Sequence, residues 1–271
     1  MLSAIRLLNL LRLMRNYDPQ RLTVKLFADW LRQFDFRDWF LVLRVFSHIK
    51  FLSKKSVIEC MVRLNDTLLK RLSDAGIPRS RIVYMSVHDA GSSSQVMLNL
   101  LRDHHGLSQK GCKLLDSKDV LELVQLREAL DEFVVIYVDD FAGTGKQFTE
   151  ARKFLADFLP SNVAEFFLLP VICEEAEKTI SLLGIEPIYC VKHTKDQRPL
   201  HPETTWLSDD EKDRINRYGI SIDSNYSLGF QNAATMIIVY RNAPNSTPLI
   251  FRGAKKQRGW VGITPRFDDL P

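Results

Sequence analysis

No two cysteines of the chain stand in CxxC spacing, no internal repeat or low-complexity tract is present, and no apolar run is long enough to cross a bilayer without interruption. Each absence removes a class of protein. Cys60, Cys112, Cys173 and Cys190 are far apart, so neither a zinc ribbon nor a thioredoxin-type redox pair is encoded. Two of them lie in strand-like apolar runs, and the expectation is four reduced, packed thiols in a cytoplasmic protein. The leucine-rich stretch Met1 to Tyr17 is broken by Arg6, Arg12 and Arg15. It is therefore read neither as a membrane span nor as a secretory signal, but as an amphipathic stripe that packs on the protein. Solenoids and low-complexity tails are excluded with the repeats. The net charge is only +4, which permits a nucleic-acid partner without arguing for one.

What is present is an ordinary apolar content for a globular protein over 271 residues, enough for one large or two smaller cores. Leu2 to Arg15, Arg21 to Phe34, Arg37 to Phe51 and Lys54 to Leu72 all carry apolar residues at helical spacing. Residues 1–76 are thus expected to form an α-helical region, and residues 77–271 an α/β domain, with Ala75-Gly76-Ile77-Pro78 marking the change. His48 stands alone among these helices and suggests no ligand set.

From residue 82 the pattern alternates. Ile82 to Val87, Val134 to Val138, Val163 to Cys173 and Pro187 to Val191 read as buried strands. Helical segments lie between them at Gln95 to Arg102, Asp116 to Leu130, Phe148 to Phe158 and Glu174 to Leu183. This predicts a mostly parallel, Rossmann-like α/β sheet with right-handed crossovers. Pro170 suggests a bend or an edge position. Asp103 to Lys113, with His104 and His105, reads as an exposed loop. Farther on, Leu207 to Tyr218 reads as a helix capped by Ser208 with Glu211, Thr235 to Tyr240 as a strand, and Leu249 to Phe251 as a final edge strand. Arg252 to Trp260 gathers Lys255, Lys256 and Arg258 beside an aromatic ring, a pattern that phosphates and stacked bases can use.

The chemistry concentrates in Phe133 to Gln147, FVVIYVDDFAGTGKQ. A buried strand runs into Asp139 and Asp140, then into a small loop, Ala142-Gly143-Thr144-Gly145, and a helix start at Lys146-Gln147. That order places a ligand at the carboxyl end of a strand, where loop amides and the helix dipole favour phosphate. Upstream, a second strand–loop–helix unit offers Gly91, Ser92 and Ser93, with one serine placed to cap a helix. A P-loop, GxxxxGK[ST], fits poorly. Asp140 occupies its first glycine position and Gln147 its hydroxyl position.

Val134 to Gln147 instead resembles the PRPP-binding motif of type I phosphoribosyltransferases. More narrowly, the VDDFxGTGxQ form, the Gly-Ser-Ser loop before it and the Pro244-Asn245-Ser246-Thr247-Pro248 tail resemble the PRTase-CE group of bacterial conflict and antiphage systems, some of them retron-associated. The resemblance, which covers Arg81 to the C-terminus, implies a phosphoribosyltransferase-type fold, to which the N-terminal helices add an extension. It implies a ligand that is PRPP or a related ribose 5-phosphate or nucleotide. Asp139 and Asp140 would take the ribose hydroxyls and carry the catalytic role. Ala142, Gly143, Thr144, Gly145, Lys146 and Gln147 would hold the 5′-phosphate, and Gly91, Ser92 and Ser93 the pyrophosphate side. Mg2+ would arrive on the ligand, with no protein metal-ligand set assigned. A nonenzymatic ribose-phosphate sensor is the alternative, with a conflict-system protein or RNA/DNA as partner and no membrane.

Overall fold

The computed structural model describes residues 2–87, 92–130, 132–161, 163–253 and 259–267, with only the backbone described at 2–4. Two compact units emerge, one made of residues 1–54 with 193–271, the other of residues 55–192. These bounds differ from a division at 76/77: the first three helices share their apolar core with the last third of the chain, and the helix of Lys54–Asp74 falls in the other unit.

The 55–192 unit is built on a sheet whose resolved pairings are all parallel. Its strands are β2 (Ile82–Ser86), β3 (Lys113–Leu115), β4 (Val134–Val138), β5 (Phe141–Ala142), β6 (Ala164–Cys173) and β7 (Glu186–His193). Their order is β3-β2-β4-β6, with β5 and β7 also paired to β6. This bears out the expected α/β architecture. Every residue of β2 and β4 is buried, which is why these strands read as unbroken apolar runs rather than alternating ones. One face carries Val83, Met85, Val135, Tyr137, Phe167 and Leu169. Side chains of α6 (Val120–Ala129), α7 (Lys146–Leu155) and α8 (Glu174–Ser181), such as Leu123, Phe148 and Ile180, join these in one core. Toward the opposite face, Tyr84 donates to Asn65 of α4 (Lys54–Asp74) at 2.6 Å. Asn65 in turn meets His105 of α5 (Ser93–His105) at 3.2 Å. His105, expected in an exposed loop, is therefore the buried last residue of a helix that Gly106 ends in left-handed conformation.

The other unit holds α1 (Leu2–Met14), α2 (Val24–Leu31), α3 (Trp39–Phe46), α9 (Asp209–Ile222) and α10 (Leu249–Arg252). Its small parallel sheet pairs β1 (Lys50–Leu52) with β8 (Ile237–Val239). Trp30 is fully buried among Phe34, Phe46 and Phe251 and donates its indole N–H to the Ile250 carbonyl at 2.7 Å. The capping box of Ser208 and Glu211 forms as expected.

Three expectations are corrected. Leu249–Arg252 is a helical turn, not an edge strand; it starts at Pro248 and stops at Gly253, whose φ is +80°. A three-residue apolar run carries no period by which to separate the two. Cys60 and Cys190 form a disulfide across 130 residues of sequence, while Cys112 and Cys173 remain free and buried. The pairing joins α4 to β7, and so distant a contact leaves no spacing signature. Pro170, expected at a bend or edge, lies inside β6, which is paired to β4, β5 and β7. Among the described residues, no helix is long and apolar enough to cross a membrane.

Candidate functional site

The strand order fixes where a ligand belongs. From β2 the chain moves outward to β3, then returns to the other side of β2 for β4 and continues to β6. The direction of winding reverses between β2 and β4. At such a reversal the connections leave toward opposite faces of the sheet, and a crevice opens beyond the carboxyl ends of the two strands. Asp139 and Asp140 follow β4 directly, and Ser92 and Ser93 lie after β2 at the start of α5.

The crevice is spanned by a hydrogen bond. Ser93 Oγ donates to Asp139 Oδ1 at 3.2 Å. Ser92, the N-cap of α5, accepts from the Gln95 amide at 3.4 Å, and its hydroxyl is hydrogen-bonded to Ser94 Oγ at 2.8 Å. Gly91, His88 and Asp89 lie outside the described residues.

The acidic pair sits at a break in a ladder. β4 pairs with β6 up to Val138 opposite Leu168, and β5 resumes at Phe141 opposite Val171 with the same offset. β4 and β5 are thus one strand on β6, interrupted at Asp139 and Asp140. Carried across the gap, the register sets Asp140 opposite Pro170, which has no N–H to give a ladder. The Asp139 amide still reaches the Leu168 carbonyl at 3.2 Å, and the Asp140 amide turns onto Asp139 Oδ1 at 2.8 Å. Sequence reading had Pro170 but not this role, since only the register reveals it.

Both carboxyls are buried, with Asp139 6 % and Asp140 8 % exposed. Burial is the main force raising each above the ordinary carboxylate range. The Asp139 charge raises Asp140 further, and hydrogen bonds from Ser93 act against both shifts. The pair therefore holds a proton to higher pH than free aspartates would, and a ligand that supplies donors or positive charge would release it.

Downstream, Ala142 and Gly145 are buried, Gly143 and Thr144 half-buried, and Lys146 and Gln147 exposed at the first turn of α7. Gly145 is the N-cap residue at φ +78° and, as a glycine, brings no capping side chain of its own. The Thr144 hydroxyl accepts from the Lys146 amide at 3.4 Å. Lys146 Nζ lies 3.9 Å from Glu150 on its own helix. Of the predicted site residues, Ser93 and Asp139 are joined by a hydrogen bond, and Ala142 to Gln147 follow the acidic pair along the chain.

Two other expectations concern the last third of the chain. Phe230 and Asn232, which precede the strand at Ile237 and could line a base pocket by the sequence, belong to the 1–54 and 193–271 unit, on a segment where Gln231, Asn232 and Ala234 have positive φ. Lys255, Lys256 and Arg258 lie outside the described residues, and Trp260 packs edge-on against Phe34 at 5.2 Å. Among the described residues, no group of three or more His, Cys, Asp or Glu side chains is arranged for a metal. Two carboxylates alone suit a hard cation that keeps most of its ligands from water and phosphate, and do not make a protein cage.

No curated protein and no solved structure matches the chain. A family model does match, over residues 27–266, which include Ser92, Ser93 and Asp139 to Gln147: the chain belongs to the PRTase-CE family.

Proposed function

We propose that the crevice binds PRPP or a related ribose 5-phosphate or nucleotide, and that the protein is a phosphoribosyltransferase-like effector of bacterial antiphage defence. The observation that carries the binding reading is the placement of two buried carboxyls at the winding reversal between β2 and β4, beside a glycine loop that opens a helix. Carboxylates accept from a ribose diol. The amides from Gly143 to Gln147 and the α7 dipole favour a 5′-phosphate. Ser92 and Ser93 stand on the other side of the crevice, where hydroxyls suit a pyrophosphate.

Mg2+ fits as a passenger of the ligand, with Asp139 and Asp140 as the hard-oxygen donors this chain offers, and it would supply charge screening of the pyrophosphate. The chain's own groups orient the sugar and fix both phosphates. In transfer, the bond from the anomeric carbon to pyrophosphate breaks and a bond to an acceptor atom forms, with positive charge building on the ribose ring between them. Buried carboxylates beside that ring stabilise the developing charge.

Calorimetry with PRPP and Mg2+, followed by turnover of labelled PRPP, tests the reading. Binding is expected in the parent and a loss of at least about tenfold in Asp139→Asn and Asp140→Asn, as for hydrogen bonds to charged groups. No binding in the parent overturns it. Binding without pyrophosphate release favours a nonenzymatic sensor. The pairing of Lys146 with Glu150 on its own helix supports that second reading, since it directs the ammonium along the helix.

A further inference from the structure

The unit of residues 1–54 and 193–271 contains a cavity of about 530 Å³ that the preceding assignment does not use. Its size falls within the roughly 300–1,000 Å³ of small-molecule sites. Arg6 of α1, His48 and Lys50 around the start of β1, and Asp196, Gln197 and Trp206 of the segment after β7 line it.

Trp206 is the unusual member. Its side chain is 57 % exposed, yet it is fixed at two points. The indole N–H donates to the Asp196 carbonyl at 2.5 Å, and the His48 ring meets it edge-on with centroids 4.7 Å apart. An exposed indole normally turns its apolar face inward; here it is held as a rigid plate at the wall of a cavity. Such plates serve as stacking platforms for planar rings.

The charge around the plate has one sign in excess. Arg6 and Lys50 line the cavity against one carboxylate, Asp196, with the His48 ring beside them. Lys50 Nζ donates to the neutral Gln197 side chain at 2.7 Å, which aims the ammonium without neutralising it. Burial, with the charges of Arg6 and Arg44 added, holds His48 below its usual range. Burial does the same for Lys50, with Asp196 acting in the other direction. A part-buried ammonium such as that of Lys50 is stabilised by an incoming anion.

We propose that this cavity binds a nucleoside monophosphate, with the base stacked on Trp206 and the phosphate held by Arg6 and Lys50. The same chemistry is offered by a free nucleotide and by the 5′-phosphorylated end of an oligonucleotide. The inference does not depend on the Asp139–Asp140 crevice.

The test uses the full chain, with binding followed by calorimetry and tryptophan fluorescence. The probes are adenosine monophosphate, adenosine, inorganic phosphate, and short single-stranded DNA with and without a 5′-phosphate. The monophosphate is expected to bind more tightly than adenosine or phosphate alone. Trp206→Ala should weaken it by about tenfold or more, the range for lost base stacking, while Trp206→Phe retains most of the affinity. Lys50→Ala should weaken it and flatten its salt dependence. Asp139→Asn with Asp140→Asn, which weaken any nucleotide held in the crevice, should leave the Trp206-dependent component of binding unchanged. A 5′-phosphorylated strand that outcompetes both its hydroxyl counterpart and the free nucleotide assigns the site to nucleic-acid ends; the reverse order assigns it to the free nucleotide. Failure of the monophosphate to bind overturns the proposal. So does binding that Trp206→Ala and Lys50→Ala leave intact, or that the paired aspartate variants abolish, since the nucleotide then occupies the crevice instead.

Discussion

Gly145 offers a direct test of the loop that opens α7. Its φ is +78°, and a Cβ placed there would lie 3.1 Å from Thr179 Cβ, 3.2 Å from Thr179 Cγ2 and 3.3 Å from Ala176 Cα. Gly145→Ala thus meets two penalties. The left-handed backbone costs an L-residue about 1–2 kcal/mol. Crowding against α8 adds about 1–2 kcal/mol, in the lower part of the usual overpacking range, because the overlaps are a few tenths of an ångström. Thr179 cannot simply rotate away. It is β-branched and its hydroxyl donates to the Glu175 carbonyl at 2.9 Å. A total loss of about 2–4 kcal/mol is expected in urea unfolding. Thr179→Ser keeps the hydroxyl and removes the nearest methyl, so the double variant should recover about 0.5–1 kcal/mol by relieving crowding alone. If Gly145→Ala stays within about 0.5 kcal/mol of the parent, as an ordinary surface change would, the loop does not have this conformation. If it is destabilising but shows no coupling to Thr179→Ser, the contact with α8 is wrong and only the backbone argument stands.

Two further outcomes follow from groups already described. The folded-state pKa values of Asp139 and Asp140 are raised. The folded state therefore binds more protons than the unfolded one above the ordinary carboxylate range, and this contribution to stability falls as pH rises through the raised values. Asp140→Asn removes the second charge, so its stability relative to the parent should grow from about pH 5 to about pH 8 by more than about 1.4 kcal/mol, the equivalent of one pKa unit. A pH-independent difference in urea midpoints refutes the shift. For the disulfide, thiol titration in denaturant without reductant should find two of the four cysteines, Cys112 and Cys173. Cys60→Ser should lower stability by about 2–4 kcal/mol, as expected for closing so long a loop. Four reactive thiols refute the bond.

The parts of the fold that were legible in the sequence share one physical property. β2 and β4 are buried on both faces, so their residues are apolar almost without interruption, and α5 between them buries Ser94, Met97, Leu98 and Leu101 at helical spacing. The acidic turn and glycine loop were legible because strand, carboxylates, loop and helix start are contiguous in the chain. The illegible features depend on partners distant in sequence. Nothing near Cys60 points to Cys190, and nothing near Pro170 points to Asp140 until the β4–β6 register is known. His105 reads as a polar loop residue, yet Asn65, forty residues earlier, gives it a buried hydrogen-bond partner. His48 and Trp206, unremarkable in the sequence, form a pair only because β1 and the segment after β7 fold into one unit. The N-terminal helices looked like a separate cap since their apolar stripes say that something covers them, not what. Phe251 and Ile250, at the far end of the chain, belong to that cover.

Lys146 separates two ways of holding a phosphate at the same loop. In a P-loop the lysine is turned onto the phosphates and carries much of the affinity. Here its side chain is 55 % exposed and reaches 3.9 Å toward Glu150 one turn along the helix, a surface pair worth no more than about 0.5 kcal/mol. The amides at the α7 terminus point into the loop whatever residue stands at 146, because they belong to the backbone. Lys146→Ala should therefore change the affinity for a ribose 5-phosphate by less than about threefold at moderate salt, where an exposed charge is screened. Asp139→Asn, which alters a buried group bonded to Ser93 across the crevice, should weaken it by about tenfold or more. Titration of the two variants against the same ligand decides the matter. The reverse ranking, a large loss with Lys146→Ala and little with Asp139→Asn, would mean that the site works as a lysine-dependent phosphate loop and that the paired carboxylates serve another purpose.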